Sequence, residues 1–62
     1  MKINDHVLTY FGDYGIIYDI TEASLEISEN IYAIKLDSNH IRYLCEDCFQ
    51  LIPRLNCPEY LK

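Results

Sequence analysis

Short runs of β-branched and aromatic residues, separated by turn residues at close spacing, constrain this sequence more than any other feature. Such side chains fit the pleated, half-buried surface of a strand. The runs cover residues 6–11, 16–21, 30–36, 41–44 and 49–52. Short strands at this spacing predict a small barrel or sandwich. The chain has 62 residues, enough for one modest core, and we therefore expect an all-β, five-stranded small barrel.

The turn residues between these runs predict the connections. Two glycines bracket Asp13 in the segment 12–15, which is a strong turn signal. The segment 37–40, Asp-Ser-Asn-His, predicts a tight hairpin. In the second run, Ile16, Tyr18 and Ile20 alternate onto one face of the strand, and Ile17 lies on the other face. Burying Ile17 as well requires a β-bulge or a strong twist.

The remaining segments set the domain boundaries. Residues 22–29 are predicted as one or two helical turns or as an extended acidic loop, and the pattern leaves both open. Residues 45–48 predict a short helical turn before the last strand. We expect one barrel domain over residues 1–53 and a C-terminal tail over residues 54–62. Three apolar residues of that tail are candidates to fold back, Leu55, Tyr60 and Leu61.

The charge balance narrows the class of partner. Ten acidic residues face five basic ones, giving a formal net charge of −5. Proteins that bind nucleic acid directly need clustered cations, because the release of phosphate counterions drives that binding. A basic protein partner suits this charge better. The basic residues are scattered singly, as Lys2, Lys35, Arg42, Arg54 and Lys62.

The expected environment is the cytoplasm. The first residues lack the apolar segment of a signal peptide, and the apolar runs are far shorter than the roughly 20 residues that span a bilayer. Three cysteines, an odd number, argue against a framework of disulfides.

Two stretches carry a resemblance to a known family. Residues 5–7 followed by 11–20, with the order Gly-Asp-Tyr-Gly-Ile-Ile, are similar to the opening hairpin of KOW-like and Tudor-like domains. Residues 32–37 and 41–44 look like the third and fourth strands of those domains. The resemblance covers residues 3–52 and implies a Src-homology-3-like (SH3-like) barrel.

This chain departs from the members of that family in two respects. The first loop of the nucleic-acid-binding members is basic, whereas this one carries Asp13 and no Lys or Arg. The aromatic cage of methyl-lysine readers cannot be fully assigned either. Parts of such a cage are available in Tyr10, Phe11, Tyr14 and Tyr43. Because this scaffold is reused widely, the fold implies little about function.

The cysteines form the sharpest local motif. Cys45 and Cys48 have the two-residue spacing at which thiolates share a metal, with Cys57 and His40 as the available further ligands of a zinc site. A complete zinc module normally has two pairs of closely spaced ligands, and the second pair is missing here. We therefore favour the interpretation that the cysteines are small buried residues or free thiols. A thioredoxin-like redox role would need a βαβ unit, which does not fit this pattern.

No catalytic constellation is predicted. His6 and His40 occupy turn or strand-edge positions, and the neighbouring Glu46 and Asp47 are adjacent in sequence, so they rarely face one another. A barrel of this size also lacks the deep cleft that shifts catalytic pKa values. We therefore expect a protein that is not an enzyme and needs no cofactor.

The aromatic content is the best functional clue. Six Tyr and two Phe exceed what one small core can bury, and Tyr is enriched at interfaces. We assign Tyr18, Tyr32 and Phe49 to the core and Tyr60 to packing of the tail. The predicted contact surface consists of Tyr10, Phe11, Asp13, Tyr14, Tyr43, Glu46 and Asp47.

These features lead to one functional hypothesis and two alternatives. The leading hypothesis is a small acidic protein-interaction module that regulates or inhibits a larger protein, with the run Glu22, Glu26 and Glu29 as a further docking surface. A chain this small would suit a phage or mobile-element product. The alternatives are a KOW-like nucleic-acid-associated domain within a larger complex and a zinc-stabilised structural module.

Overall fold

The computed structural model describes residues 1–37 and 39–61. Within them the chain forms one antiparallel sheet of five strands in the order β4-β3-β2-β1-β5. The strands are β1 (His6–Thr9), β2 (Tyr14–Thr21), β3 (Ile31–Lys35), β4 (Ile41–Cys45) and β5 (Phe49–Leu51). The 3-10 turns are Glu46–Cys48, Arg54–Asn56 and Glu59–Leu61, and the described residues include no α-helix. The prediction of an all-β chain with a helical turn before the last strand is confirmed.

The core is a single cluster on one face of this sheet. Tyr32 of β3 meets Phe49 of β5 edge to face, with ring centroids 5.3 Å apart and an interplanar angle of 77°. This geometry suits the opposed charge of ring edge and ring face. The assignment of these two rings to the core is confirmed. The buried cluster consists of Val7, Ile17, Tyr32, Ile34, Leu44 and Phe49.

A β-bulge in β2 decides which of its side chains enter the core. Ile17 pairs with Ile34, but the next aligned pair is Asp19 with Ala33, so Tyr18 is the extra residue. The extra residue reverses the alternation of side chains along the strand. Ile17 is fully buried, as the expected bulge allows, whereas Tyr18 is 56% exposed. The prediction that Tyr18 belongs to the core is therefore wrong.

The first turn is shorter than its glycines suggest. Gly12 has a φ of 94°, a conformation that favours glycine, and it lies in the turn. Tyr14 and Gly15 already belong to β2, so their assignment to the turn is wrong. Gly15 is required by packing, because a Cβ at this position would lie 2.5 Å from Cγ2 of Ile34.

The loops at residues 22–29 and 37–40 can be compared with their predictions. Residues 22–29 are an exposed loop without a helix, as the extended alternative predicted. The turn between β3 and β4 closes where the backbone N–H of Leu36 donates to the carbonyl of His40, at 2.9 Å. This agrees with the expected hairpin, of which Ser38 lies outside the described residues.

Two residues of the C-terminal segment are buried. Leu61 is buried, and so is Cys57, whose sulfur lies 3.0 Å from Nδ1 of His6 in β1. Leu61 thus folds back as expected, but Leu55 and Tyr60 are exposed. In the described part of the chain, no helix has the length and apolar character needed to cross a membrane.

Candidate functional site

Thr9 organises the turn that joins β1 to β2. Its side chain is almost fully buried, and its Oγ1 accepts hydrogen bonds from the backbone N–H groups of Asp13 (3.1 Å) and Phe11 (3.3 Å). The backbone of Thr9 adds a bond from its own N–H to the carbonyl of Asp13, at 2.8 Å. Because a buried side chain holds the turn from inside, Tyr10 and Phe11 are left on its outside, 67% and 62% exposed.

Arg42 of β4 joins this turn from the far end of the sheet order. Its guanidinium carbon lies 5.1 Å from the centroid of the Phe11 ring, within the range of a cation–π contact. Its Nη2 lies 3.6 Å from Oδ2 of Asp13. We call Tyr10, Phe11, Asp13 and Arg42 the turn patch.

The acidic 3-10 turn Glu46–Cys48 adjoins the turn patch. The backbone N–H of Tyr10 donates to the carbonyl of Cys48 at 2.9 Å, which ties the two turns together. Glu46 accepts a 3.4 Å hydrogen bond from the hydroxyl of Tyr32, and Asp47 is exposed beside it. The two turns that carry the predicted contact residues are thus bonded to each other through their backbones.

Of the remaining predicted site residues, Tyr14 lies near this patch and Tyr43 does not. Tyr14 is half-buried in β2 opposite Leu8, and lines a cleft of about 300 Å³ together with Asp13 and Arg42. Tyr43 follows Arg42 in β4, so its side chain points to the other face of the sheet, where it pairs with Ala33. Tyr43 is thus separated from the turn patch by the sheet itself.

Two cation–π contacts could not be predicted from the sequence: that of Arg42 with Phe11, and that of Lys35 with Tyr18 on the outer face of the sheet, the face opposite the core. Arg42 looks like one scattered cation in the sequence, because its partners Phe11 and Asp13 are about thirty positions earlier. On the outer face, the ammonium of Lys35 lies 5.5 Å from the centroid of the Tyr18 ring. The bulge that exposes Tyr18 was anticipated, but its consequence for that ring was not.

The cysteine motif closes into a pair. The sulfur atoms of Cys45 and Cys48 lie 3.5 Å apart, at the two ends of the 3-10 turn, and both residues are half-buried. The contact with Cys48 is the largest cause that raises the pKa of Cys45 above its ordinary value, and the carboxylate of Glu29 acts in the same direction. The contact therefore favours the protonated thiol of Cys45.

The four residues of the zinc alternative are not brought together. His40 is exposed and contacts the carboxylate of Asp37 at 2.8 Å, while Cys57 contacts His6. Among residues 1–37 and 39–61, no three His, Cys, Asp or Glu side chains are grouped so that they could hold a metal ion.

Two further contacts involve histidines. The carboxylate of Asp37 accepts a hydrogen bond from the backbone N–H of Asn39, which together with His40 lowers the pKa of Asp37. Cys57 and His6 are at the distance of a nucleophile and its base. Cys57 is only 5% exposed, however, so its sulfur is not presented to a substrate.

A larger open cleft, of about 790 Å³, lies between the C-terminal segment and the sheet. Ile16 and Leu61 supply its apolar part, and Lys35, Asp37 and Arg54 place charges of both signs at its edge. Because its charges are mixed, this cleft favours no single class of ligand.

Comparison with known proteins assigns no family to this chain. The sequence matches no protein-family model. No curated protein and no solved structure matches it significantly.

Proposed function

We propose that this chain is a small SH3-like barrel that acts as a protein-interaction module, docking the basic surface of a larger protein on its turn patch. The observation that carries the proposal is the exposure of Tyr10 and Phe11 on a turn that a buried side chain holds in place. A rigid turn presents the rings without the entropy cost of ordering them on binding.

The order of elements supports the SH3-like assignment. The first four strands follow one another as neighbours in the sheet, and β5 returns to pair with β1. A single 3-10 turn connects β4 to β5, at the place where the resemblance requires a short helical turn. Closure of this sheet into a barrel would also protect its two outer strands from pairing with other chains.

The chemistry of the patch supports protein as the ligand. Aromatic rings and Arg are the side chains most often found at the centre of protein interfaces. The Phe11 ring lies beside Arg42, whose own charge is paired with the carboxylate of Asp13 at 3.6 Å. The ring faces can therefore be covered by a partner without leaving an unpaired cation.

The surrounding charge supports a basic partner. Glu46 and Asp47 belong to the 3-10 turn whose Cys48 carbonyl accepts the N–H of Tyr10, and the whole chain carries a net charge of −5. Complementary charge accelerates encounter and suppresses wrong partners. It also makes the association weaken with salt, which gives the proposal a measurable property.

Site-directed photo-cross-linking tests the proposal directly. A photoreactive amino acid replaces Phe11 in one version of the full chain and Leu55 in the control. Leu55 is a matched position because it is also apolar and is 85% exposed, but it belongs to the C-terminal segment. Both proteins are irradiated in a lysate of the cells that express the chain, and cross-linked proteins are identified by mass spectrometry.

The expected result is a protein with a basic surface that cross-links from position 11 and not from position 55. That protein, purified, should bind the chain more weakly as salt rises, and the double variant Tyr10→Ser with Phe11→Ser should lower its affinity at least tenfold. Equal binding by the double variant would contradict the proposal. Cross-linking to nucleic acid alone would favour the nucleic-acid-associated alternative.

A further inference from the structure

Cys45 and Cys48 are a pair of thiols in contact with each other that the proposed function does not use. Their sulfur atoms lie 3.5 Å apart, while a disulfide requires about 2.05 Å. Both residues are half-buried at the surface of a 3-10 turn, so a small molecule can reach them.

We propose that Cys45 and Cys48 form a reversible intrachain disulfide, by thiol–disulfide exchange with a small disulfide such as glutathione disulfide. The proposal is a modification site on the chain and includes no oxidoreductase activity toward other proteins. It is independent of the proposed docking function.

The exchange balances in two steps. One cysteine thiolate attacks a sulfur of glutathione disulfide, forming a mixed disulfide and releasing one glutathione thiolate. The second cysteine thiolate then attacks the cysteine sulfur of the mixed disulfide and releases the second glutathione. Two protons leave the cysteines and end on the two glutathione molecules, and two electrons pass from the cysteines to glutathione disulfide.

The geometry favours the second step over a lasting mixed disulfide. The partner sulfur already lies in contact, so the step is intramolecular and has a high effective concentration. Cys57 does not compete, because it is buried and contacts His6. The raised pKa of Cys45 slows its own attack, since the thiolate is the attacking form.

The disulfide would act on a turn that the rest of the fold uses. The carbonyl of Cys48 accepts the N–H of Tyr10, and Glu46 between the cysteines accepts the hydroxyl of Tyr32. Drawing the sulfurs together tightens the same turn that supports Tyr10. The oxidised and reduced chains should therefore differ in the mobility of the first turn.

Mass spectrometry after incubation in glutathione buffers tests the proposal. Trypsin cleaves after Arg42 and Arg54, so residues 43–54 form one peptide with both cysteines and Cys57 lies in the next peptide. The full-length folded chain is incubated at several ratios of glutathione disulfide to glutathione, quenched with acid and digested. Dithiothreitol treatment of a parallel sample tests reversibility.

The expected result is a 43–54 peptide lighter by two hydrogens, restored by dithiothreitol, while the peptide with Cys57 stays reduced. Cys45→Ser and Cys48→Ser should each convert the loss of two hydrogens into the addition of one glutathione. Cys57→Ser is the matched control and should leave the 43–54 disulfide unchanged. If that variant fails to fold, the wild-type peptide with Cys57 supplies the same comparison.

Two outcomes would overturn the proposal. One is a 43–54 peptide that stays a dithiol in buffers where a free cysteine peptide forms mixed disulfides. The other is a mixed disulfide that persists on the wild-type chain, which would show that the second sulfur cannot reach the first. Neither outcome bears on partner binding by the turn patch, so the two proposals can fail separately.

Discussion

The guanidinium of Arg42 stands over the ring of Phe11, with 5.1 Å between its carbon and the ring centroid. The two residues belong to β4 and to the turn after β1, which are not neighbours in the sheet order. This contact joins the two ends of the candidate site and turns an isolated cation of the sequence into part of an aromatic surface. Its energy can be measured directly.

A double-mutant cycle of Arg42→Ala and Phe11→Ala should give a coupling free energy of about 0.5–1 kcal/mol, the range of exposed cation–π pairs. Each single variant should remain folded, since both side chains are exposed. Urea unfolding followed by circular dichroism measures the four stabilities. Asp13→Asn separates the contribution of the ion pair. Strictly additive single effects would mean that the guanidinium and the ring do not interact in solution.

Thr9→Val should destabilise the chain by about 1–2 kcal/mol, because it keeps the shape of the side chain but removes the acceptor of two backbone N–H groups. Thr9→Ser retains the oxygen and is the matched control, with a smaller loss from the missing methyl group. The free energy of unfolding is measured for both. Unchanged stability in Thr9→Val, with a loss in Thr9→Ser, would assign the role of Thr9 to its methyl group instead.

Gly15→Ala should cost about 1–3 kcal/mol, the typical cost of inserting a methyl group into a packed core. The new Cβ would lie 2.5 Å from Cγ2 of Ile34 and 3.0 Å from the carbonyl oxygen of Lys35, so it cannot be accommodated without movement of β3. The same substitution in an Ile34→Leu background, which removes the branching methyl, should cost less. A neutral Gly15→Ala variant would contradict the close approach of β2 and β3.

The pKa of Cys45, raised chiefly by the contact with Cys48, predicts a pH effect on alkylation. Half-maximal reaction of Cys45 with iodoacetamide should occur at a higher pH in the wild type than in Cys48→Ser. The variant Glu29→Gln should also lower the pH of half-maximal reaction relative to the wild type. Tandem mass spectrometry of the 43–54 peptide locates the label. An unchanged midpoint in Cys48→Ser would assign the raised pKa to another cause.

The same raised pKa has a consequence for stability. Because the folded state holds the proton more tightly than the unfolded state, the contribution of Cys45 is complete below the ordinary thiol pKa. It is lost as the pH rises through the folded value. Unfolding of the reduced chain across the alkaline range should show this loss in the wild type and less of it in Cys48→Ser.

Asp37 predicts an effect of opposite sign at acid pH. Its pKa is lowered by the N–H of Asn39 first and by His40 second, so the folded state favours the carboxylate. The resulting stability is present above the ordinary carboxyl pKa and is lost as the pH falls through the lowered value. Asp37→Asn keeps an oxygen for the N–H of Asn39 and should flatten this acid dependence. A wild-type dependence that persists in the variant would exclude Asp37 as its source.

Much of the strand pattern could be predicted because it depends on neighbouring residues. Alternating β-branched and aromatic side chains located all five strands, within a few residues of the observed ends. The need for a bulge near Ile17 was visible for the same reason. The first turn was predicted too long, because Gly15 resembles a turn residue locally, whereas its role is to let Ile34 approach from β3.

Only part of the candidate site could be predicted from neighbouring residues. Exposed aromatics beside Asp13 could be expected from the turn itself, and Tyr10 and Phe11 lie there. Tyr43 could not be placed, because the face it occupies depends on the register of β4 against β3.

The sequence by itself determined the all-β class, the strand positions, the short turn before the last strand and the acidic charge, since each follows from side chains close together in the chain. The tertiary structure decided which groups meet across the sheet. It placed Arg42 on Phe11, Cys57 on His6 and Cys45 within 3.5 Å of Cys48. The physical reason is that strand register and the β2 bulge set these contacts, and both depend on how the whole core packs.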